Sequence, residues 1–327
     1  MIDILDVAFY APVRLRLMGK SILVSGLAII RNGVQLDYAF LESIRSALPI
    51  CDEFLCVVGN CDDETRERIA DLGDPKIRIV DTVWSDRVQP RKCLLAQQTN
   101  IGLHLCRGTW CLYMQSAEVL HEDSLPRLLS LMEAKGDDPD VEALLLERLT
   151  FYGDGQHVLR AYPEAFKYVP RIIKPHIGAY SIRDAMSFAV FDGWSTRGRY
   201  PRALDSGEYI YRYALVHTPE GLAARGTAVH HGGGSGGAVD QDAFYTRVPR
   251  VWVTEYGGSH PAVMEDRLRR VGPQYDGADP RCRTRMTRKE WLRLLETRIY
   301  SRVGLPAWRA QRFKLLGRFE DKAYRPW

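Results

Sequence analysis

Polar and charged residues that could bind a ligand concentrate in three short loops, each directly after an apolar run. The loops carry Arg31-Asn32, Asn60 to Asp63 and Gln115 to Glu118. They offer guanidinium, amide and carboxylate groups, which bind polar or charged ligands through hydrogen bonds and ion pairs. We therefore expect a ligand site where these loops meet.

The apolar runs and the segments between them predict the elements that position these loops. Apolar residues recur at strand or helix spacing, so that strand and helix alternate four times in about 130 residues. The predicted strands are Ser21 to Ile30, Phe54 to Gly59, Ile77 to Val80 and Trp110 to Met114. This alternation is typical of an α/β fold with a mostly parallel sheet and helices on both faces, in which ligands bind beyond the carboxyl ends of the strands.

The second half of the chain is less regular. It contains three further predicted strands, Ala143 to Leu149, Tyr168 to Ile173 and Glu208 to Val216. A glycine-rich segment from Thr227 to Gly237 is either a substrate lid or a surface linker. Adjacent side chains in a flexible loop point in different directions, so we expect His230 and His231 there to be exposed rather than metal ligands.

Charge divides the sequence unevenly. Residues 281–327 hold 14 Lys/Arg and 4 Asp/Glu, a formal charge of +10, and the remainder holds 31 basic and 37 acidic residues, a charge of −6. A basic helical tail of this kind either contacts an anionic membrane surface or packs on the domain as a solvated amphipathic helix. The acidic remainder and the lack of aromatic platforms in the tail argue against a nucleic-acid partner.

Cysteine usage and the N-terminus indicate a cytoplasmic protein. The basic tail also suggests that the protein binds peripherally to the inner face of the membrane. The seven cysteines form no CxxC pair and no zinc-finger spacing. Asp3 and Asp6 precede Arg14 and Arg16, the reverse of a signal peptide. No apolar run approaches the roughly 18 residues that a membrane span needs.

Several short segments, in this order and spacing, resemble glycosyltransferase family 2-like proteins of a bacterial branch over roughly residues 21–220. The segments are Ser25 to Gly33, Leu41 to Ile44, Cys51 to Phe54, Asp62 to Thr65, Asp74 to Ile79, Thr99 to Leu103, Gly108 to Trp110 and Phe151 to Gly153. The resemblance implies a GT-A fold and transfer of a sugar from a nucleoside-diphosphate donor to a glycan, a lipid-linked or a small-molecule acceptor.

The resemblance also implies roles for the loop residues. Arg31, Asn32, Asp62 and Asp63 would hold the base and ribose, although Asp62 and Asp63 equally suit the start of a helix at Thr65. Gln98, Asn100, Gln115 and Ala117 would lie along the donor, with Gln98 and Asn100 near its phosphates. Arg91 and Lys92 either add charge there or form a solvated helix start.

Two positions depart from the family pattern at its metal site. The family has Gln-Ala-Asp-Glu-Val where this chain has Gln115-Ser116-Ala117-Glu118-Val119, so Ala117 replaces the aspartate. The family also has Tyr-His-Tyr-Gly-Trp where this chain has Tyr211 to Leu215, so Arg212 replaces the histidine. We therefore expect no essential metal, with Arg212 stabilising the leaving diphosphate, and Mn²⁺ or Mg²⁺ as the alternative. Glu118 then orients Arg212 or a lysine, ligates a remaining metal, or contacts the donor sugar.

An inverting transfer also needs a base to take the proton of the acceptor hydroxyl. Glu147, Asp184 and Asp192 are the carboxylates in the acceptor half, and Asp184 lies where the family branch shows a comparable Asp-Ala step. Asp184 is equally interpretable as a turn residue.

These observations predict four regions: an extension (1–20), a GT-A domain (21–220, with a donor half to about residue 120), a loop-rich segment (221–280) and the basic helical tail (281–327). A catalytically inactive relative that binds the nucleotide sugar is one competing interpretation. A nucleotidyltransferase is another, but no glycine-rich phosphate loop follows the first strand, where Arg31-Asn32-Gly33 stands instead.

Overall fold

The computed structural model describes residues 23–85, 87–88, 93–159, 168–193, 198–218, 220–221, 248–272, 286–302 and 312–319. The predicted extension (1–20), Arg91-Lys92 and the glycine-rich segment with His230-His231 lie outside these residues. The described strands are β1 (Val24–Ile30), β2 (Glu53–Val58), β3 (Ile77–Asp81), β4 (Trp110–Met114), β5 (Glu118–Val119), β6 (Ala143–Thr150), β7 (His157–Leu159), β8 (Tyr168–Ile173), β9 (Ala179–Ile182), β10 (Ser187–Val190), β11 (Arg202–Arg212), β12 (Val253–Glu255) and β13 (Lys314–Arg318). The helices are α1 (Phe40–Ala47), α2 (Thr65–Ala70), α3 (Leu94–Leu105), α4 (Leu125–Lys135), α5 (Glu265–Val271) and α6 (Arg288–Arg302).

One large mixed sheet organises the fold. Its strands follow the order β13-β11-β6-β8-β4-β1-β2-β3, and β5 pairs with the end of β11. Only β8 and β5 run antiparallel to their described neighbours in this sheet, and the other pairs are parallel. The predicted α/β fold with a mostly parallel central sheet is therefore confirmed. β9 pairs with β10, and β7 with β12, in two small antiparallel sheets outside it.

Alternation along the central strands creates two apolar layers. In β2, Phe54, Cys56 and Val58 pack in the layer that contains α1 and α4, whereas Leu55 and Val57 pack in the layer that contains α3 and the β9–β10 hairpin. Both sets are fully buried, as expected for strands of a parallel sheet covered on both faces. Gly102 lets α3 approach β1 closely, because a Cβ at this position would overlap the Leu27 side chain.

The C-terminal region is more than a helical tail. α6 confirms a helix there, but Lys314–Arg318 forms β13 and pairs in parallel with β11 at the edge of the sheet. The predicted all-helical tail is therefore corrected at this strand. Leu315 and Leu316 are adjacent and both exposed, so the segment lacks the alternation that would have indicated a strand. None of the described helices is long and apolar enough to cross a bilayer.

Candidate functional site

The three predicted loops lie at one edge of the sheet. β1, β2, β4, β6 and β11 are mutually parallel through their shared neighbours, so their carboxyl ends meet at this edge. The loops after β1, β2 and β4 begin at Arg31, Gly59 and Gln115, and β5 lies next to the end of β11. The edge thus combines the predicted donor residues with Arg212.

Arg31, Asn32 and Asp62 interlock across the ends of β1 and β2. The Asp62 backbone N–H donates to Asn32 Oδ1 at 2.9 Å, and Asn32 Nδ2 donates to Asp62 Oδ2 at 3.2 Å. Asn32 has a φ of 50°, a left-handed conformation that asparagine adopts more readily than most residues. Arg31 Nε donates to the Asn60 carbonyl at 3.0 Å, while its buried Nη1 has no hydrogen-bond partner among the described residues.

The two aspartates of this turn differ in their surroundings. Both carboxylate oxygens of Asp63 accept backbone N–H groups, from Gln35 at 2.7 Å and from Thr65 at 3.0 Å. Asp63 thereby holds the start of α2 against the loop after β1. The Asp62 side chain is 74% exposed, so its carboxylate can meet a ligand from solution.

Trp84 closes the edge after β3, a position that sequence reasoning missed. The backbone N–H of Trp84 donates to Asn60 Oδ1 at 2.9 Å. A Cβ at Gly59 would lie 2.7 Å from the indole and 3.1 Å from Arg31 Cβ, so only glycine lets Trp84 and Arg31 pack together there. An aromatic residue four positions after a predicted strand was the available signal.

Gln98 and Asn100 of α3 form hydrogen bonds with different parts of the chain. Gln98 Nε2 donates to the Val83 carbonyl at 3.3 Å, and its buried Oε1 has no hydrogen-bond partner within the described chain. Asn100 donates to the Ser181 carbonyl at 3.1 Å and accepts the Ser181 N–H at 2.6 Å. Gln98 therefore lies at the end of β3, close to the predicted site, whereas Asn100 joins α3 to β9.

Glu118 is the centre of a buried ion-pair cluster. Arg171 Nε and Nη2 donate to Glu118 Oε2 and Oε1 at 2.7 and 2.8 Å, a bidentate geometry. Arg148 Nη1 lies 3.7 Å from Oε1, and Arg212 is the direct cross-strand neighbour of Glu118. The side chains of Glu118 and Arg171 are both fully buried. The carboxylate thus binds Arg171, which sequence reasoning did not single out, and it lies beside Arg212 in the sheet.

The electrostatics of the cluster favour negative charge. Burial alone would raise the pKa of Glu118, but Arg171, Arg148 and Arg212 hold it below its ordinary value. Burial and the repulsion from Arg212 lower the pKa of Arg148 to about 9. Arg171 Nη1 is buried with no hydrogen-bond partner in the described part of the chain. Positive charge predominates among these four side chains, a composition that suits an anionic ligand.

Gln115 connects this cluster to the turn that carries Asp184. The Gln115 backbone N–H donates to Glu118 Oε2 at 3.3 Å, and its Nε2 donates to the Ala185 carbonyl at 3.4 Å. Asp184 is exposed in the β9–β10 turn between Arg183 and Ala185, which both have positive φ. Ala117 is buried, and its carbonyl accepts the Tyr213 N–H at 2.8 Å.

The other two carboxylates predicted as candidate bases, Glu147 and Asp192, bind side chains outside the loop after β4. Glu147 accepts a hydrogen bond from the Tyr168 hydroxyl at 3.4 Å, and Asp192 forms an ion pair with Arg199 at 2.8 Å. Of the three, only Asp184 lies in a turn that contacts the loop after β4.

Comparisons with protein-family models and with the curated proteins found no match. Among solved structures, S. aureus TarS (residues 1–349) in complex with UDP is similar with a TM-score of 0.35 and 14% identity, over 47% of each chain. Glucosyl-3-phosphoglycerate synthase from Mycobacterium tuberculosis in complex with Mn²⁺, UDP and glucosyl-3-phosphoglycerate gives a TM-score of 0.28 and 16% identity, over 40% of this chain and 45% of that one. The match thus spans about half the length of these proteins or less, which is too little to assign an activity.

The expectation of no essential metal is corrected by these comparisons, because the glucosyl-3-phosphoglycerate synthase structures hold Mn²⁺ together with UDP. The residues around Glu118 do not fit a divalent cation. Both oxygens of Glu118 bind Arg171, and Ala117 has no ligating atom in its side chain. Within the described ranges, no three His, Cys, Asp or Glu side chains are grouped so that they could hold a metal ion.

We expect Glu118→Gln to lower the free energy of unfolding by roughly 3–5 kcal/mol, because it removes the negative charge that binds buried Arg171 at two atoms. The loss should be constant above about pH 5. A carboxyl with a lowered folded-state pKa contributes stability above its ordinary pKa of about 4.3 and loses it as the pH falls through the folded value. The difference between wild type and variant should therefore shrink in acid.

Urea unfolding of both proteins between neutral and acid pH measures this difference. Glu133→Gln, which changes an exposed carboxylate of α4, is the matched control and should alter stability by less than about 0.5 kcal/mol. A Glu118→Gln protein as stable as the control would show that the cluster is not held together by this carboxylate.

Proposed function

We propose that this chain is a GT-A glycosyltransferase, similar to family 2, that moves a sugar from a nucleoside-diphosphate donor to an acceptor hydroxyl. One observation carries the proposal. The Arg148–Arg171–Arg212 cluster and the exposed carboxylate of Asp62 lie at the same carboxyl edge of a mostly parallel sheet. A nucleoside diphosphate offers both groups that this edge would bind: ribose hydroxyls for the carboxylate and phosphates for the guanidinium groups.

The nucleoside half of the donor would bind between the ends of β1 and β2. Asp62 accepts hydrogen bonds from ribose hydroxyls, and the interlock with Asn32 fixes its position. Arg31 and Gln98 lie beside this position, and each has a buried polar atom with no hydrogen-bond partner among the described residues. UDP, which is present in the TarS and glucosyl-3-phosphoglycerate synthase structures, is the first nucleotide to test.

The diphosphate half would bind at the arginine cluster. When the bond between the anomeric carbon and the phosphate oxygen breaks, the diphosphate leaves with the electron pair and gains negative charge. Arg212 is the half-buried member of the cluster and reaches the ligand, while Arg148 adds positive charge from behind it. Glu118 holds the guanidinium groups in place before the reaction, so little reorganisation is needed as charge develops.

The acceptor oxygen attacks the anomeric carbon from the opposite side, and its proton passes to the Asp184 carboxylate. Asp184 is exposed, and the Gln115–Ala185 hydrogen bond brings its turn to the loop after β4. Ala117 and Gln115 would line the sugar between the two halves. The acceptor is a glycan, a lipid-linked or a small molecule, and a peripheral contact with an anionic membrane is part of the proposal because of the +10 charge of residues 281–327.

One observation favours a second candidate. Ala117 is buried and offers no side-chain group for catalysis, which is compatible with a nucleotide-sugar-binding relative that has no turnover. Donor hydrolysis and transfer separate the two, because the inactive relative would bind UDP with the same residues but release no UDP from a UDP-sugar.

The contrast between Asp62 and Asp63 tests the nucleoside site. Asp62→Ala should weaken UDP binding by about tenfold or more, because an exposed hydrogen-bond acceptor is removed. Its melting temperature should fall only slightly, because Asn32 Nδ2 keeps its hydrogen bond to Gln35 Oε1. Asp63→Ala should lower the melting temperature, because two backbone N–H groups lose their partner. Calorimetric titration with UDP and thermal unfolding measure both effects, with exposed Asp71→Ala as the control. Unchanged UDP affinity in Asp62→Ala would refute this assignment.

Turnover tests the role of Arg212. Arg212→Ala should lower the rate of UDP release from the accepted UDP-sugar by roughly two orders of magnitude, the usual effect of losing one preorganised donor to a developing anion. Arg212→Lys should restore only part of the rate, because an ammonium group lacks the planar fork. Arg66→Ala, which removes an exposed arginine of α2, is the control. A full rate in Arg212→Ala would contradict the proposed role.

A further inference from the structure

Helix α6 presents an unusually apolar surface to solvent. Its exposed side chains include Trp291 (58%), Leu292 (66%), Leu295 (56%) and Ile299 (54%). Trp291, Leu295 and Ile299 are spaced by four residues, and Leu292 lies three before Leu295, so all four share one face of the helix. Large apolar side chains grouped in this way on a surface mark an interaction site.

Helix α6 has a capped N-terminus and packs against the rest of the chain. Thr287 and Glu290 form a capping box: the Thr287 N–H donates to Glu290 Oε2 at 2.6 Å, and the Glu290 N–H donates to Thr287 Oγ1 at 3.3 Å. Leu294, which lies outside this apolar stripe, packs in a buried cluster with Tyr152 and Trp252. The exposed residues are therefore not the inward face of a helix that has lost its contacts.

The charge on the same helix identifies the occupant of this face. α6 contains five basic and two acidic residues. Exposed Arg288 lies four residues before Leu292, on the same face. Exposed Arg298 and half-buried Glu296 flank the apolar stripe on its two sides, so the charge around the stripe is predominantly positive. A second copy of this chain would bring the same positive charge to the contact and would be repelled. An anionic lipid surface offers both an apolar interior for the Trp and Leu side chains and phosphate groups for the arginines.

The position of α6 relative to the sheet adds a functional consequence. Tyr152 follows the end of β6 by two residues, and Leu215, which packs on the same cluster, follows the end of β11 by three. α6 is therefore attached at the edge that carries Glu118 and Arg212. A bilayer beneath α6 would lie beside this edge.

We propose that α6 docks the protein on anionic membranes by inserting Trp291, Leu292, Leu295 and Ile299 between lipids while Arg288 and Arg298 bind their phosphate groups. This deepens the membrane contact included in the proposed function, and it assigns the acceptor to the lipid-linked class, a hydroxyl presented at the membrane surface. The docking itself does not require sugar transfer.

Sedimentation of the full chain with vesicles tests the docking. The protein should pellet with vesicles that mix phosphatidylglycerol into phosphatidylcholine, and much less with phosphatidylcholine alone. High salt should release most of it, because the screening length falls from about 10 Å at 0.1 M to about 3 Å at 1 M salt. Leu292→Gln/Leu295→Gln and, separately, Arg288→Glu/Arg298→Glu should each weaken binding at least about tenfold.

Matched control variants distinguish binding through the α6 face from nonspecific binding to vesicles. Ile101→Gln/Leu105→Gln makes the same apolar-to-polar change on exposed α3 positions, and Arg68→Glu/Arg269→Glu makes the same charge change on α2 and α5. Both should keep binding. The proposal is overturned if wild type does not pellet at low salt, if the α6 variants bind like wild type, or if the controls lose binding equally. It is also overturned if wild type is a dimer that the α6 changes turn into monomers, because the face then binds a second copy.

Calorimetry with UDP keeps this inference distinguishable from the proposed function. The α6 variants should bind UDP like wild type, which also shows that they are folded. If no protein binds UDP but wild type pellets with anionic vesicles and the α6 variants do not, the glycosyltransferase proposal fails and the docking stands.

Discussion

The bidentate ion pair between Glu118 and Arg171 is the interaction on which the candidate site depends. Glu118 belongs to the short strand that follows β4, and Arg171 belongs to β8, which runs antiparallel between β4 and β6. The pair therefore ties the parallel donor half of the sheet to the β6–β11 half. Its burial makes it costly to break and leaves Arg148 and Arg212 positioned beside a single carboxylate.

Positive charge at this edge and the exposed Asp62 turn complement each other across the ends of parallel strands. Neither feature alone is specific, since buried arginines also serve folding and aspartate turns also begin helices. Their common position gives them functional meaning, because both lie at the edge of the sheet where ligands of such folds bind, and a nucleoside diphosphate has both a hydroxyl-bearing and a phosphate-bearing end. The docking face on α6 extends this arrangement, since it is attached to the same edge and would bring a membrane-borne acceptor to it.

The sequence predicted the α/β fold and its mostly parallel sheet because burial on both faces leaves long apolar runs, and the bounds of Tyr168–Ile173 were predicted to the residue. It also predicted the loops that meet. It could not show that Asp63 stabilises the fold while Asp62 stays exposed to solvent. That difference depends on the Gln35 N–H, which comes from another loop. Arg148 and Arg171, which lie inside apolar strands, were not predicted as site residues. Glu118 is distant from both in the sequence, and only the order of strands in the sheet brings it next to them. β13 was missed because a five-residue edge strand with four exposed positions has no alternation of apolar and polar residues that would indicate a strand.

Calorimetric comparison of UDP with uridine most directly tests the claim that this edge binds a nucleoside diphosphate through its arginine cluster. The account predicts that wild type binds UDP at least about a hundredfold more tightly than uridine, as expected for several charge-assisted hydrogen bonds to phosphate. Arg148→Met should remove much of that difference while leaving uridine binding unchanged. Equal affinities for UDP and uridine in wild type, or an Arg148→Met protein that retains the full preference for UDP, would contradict the account.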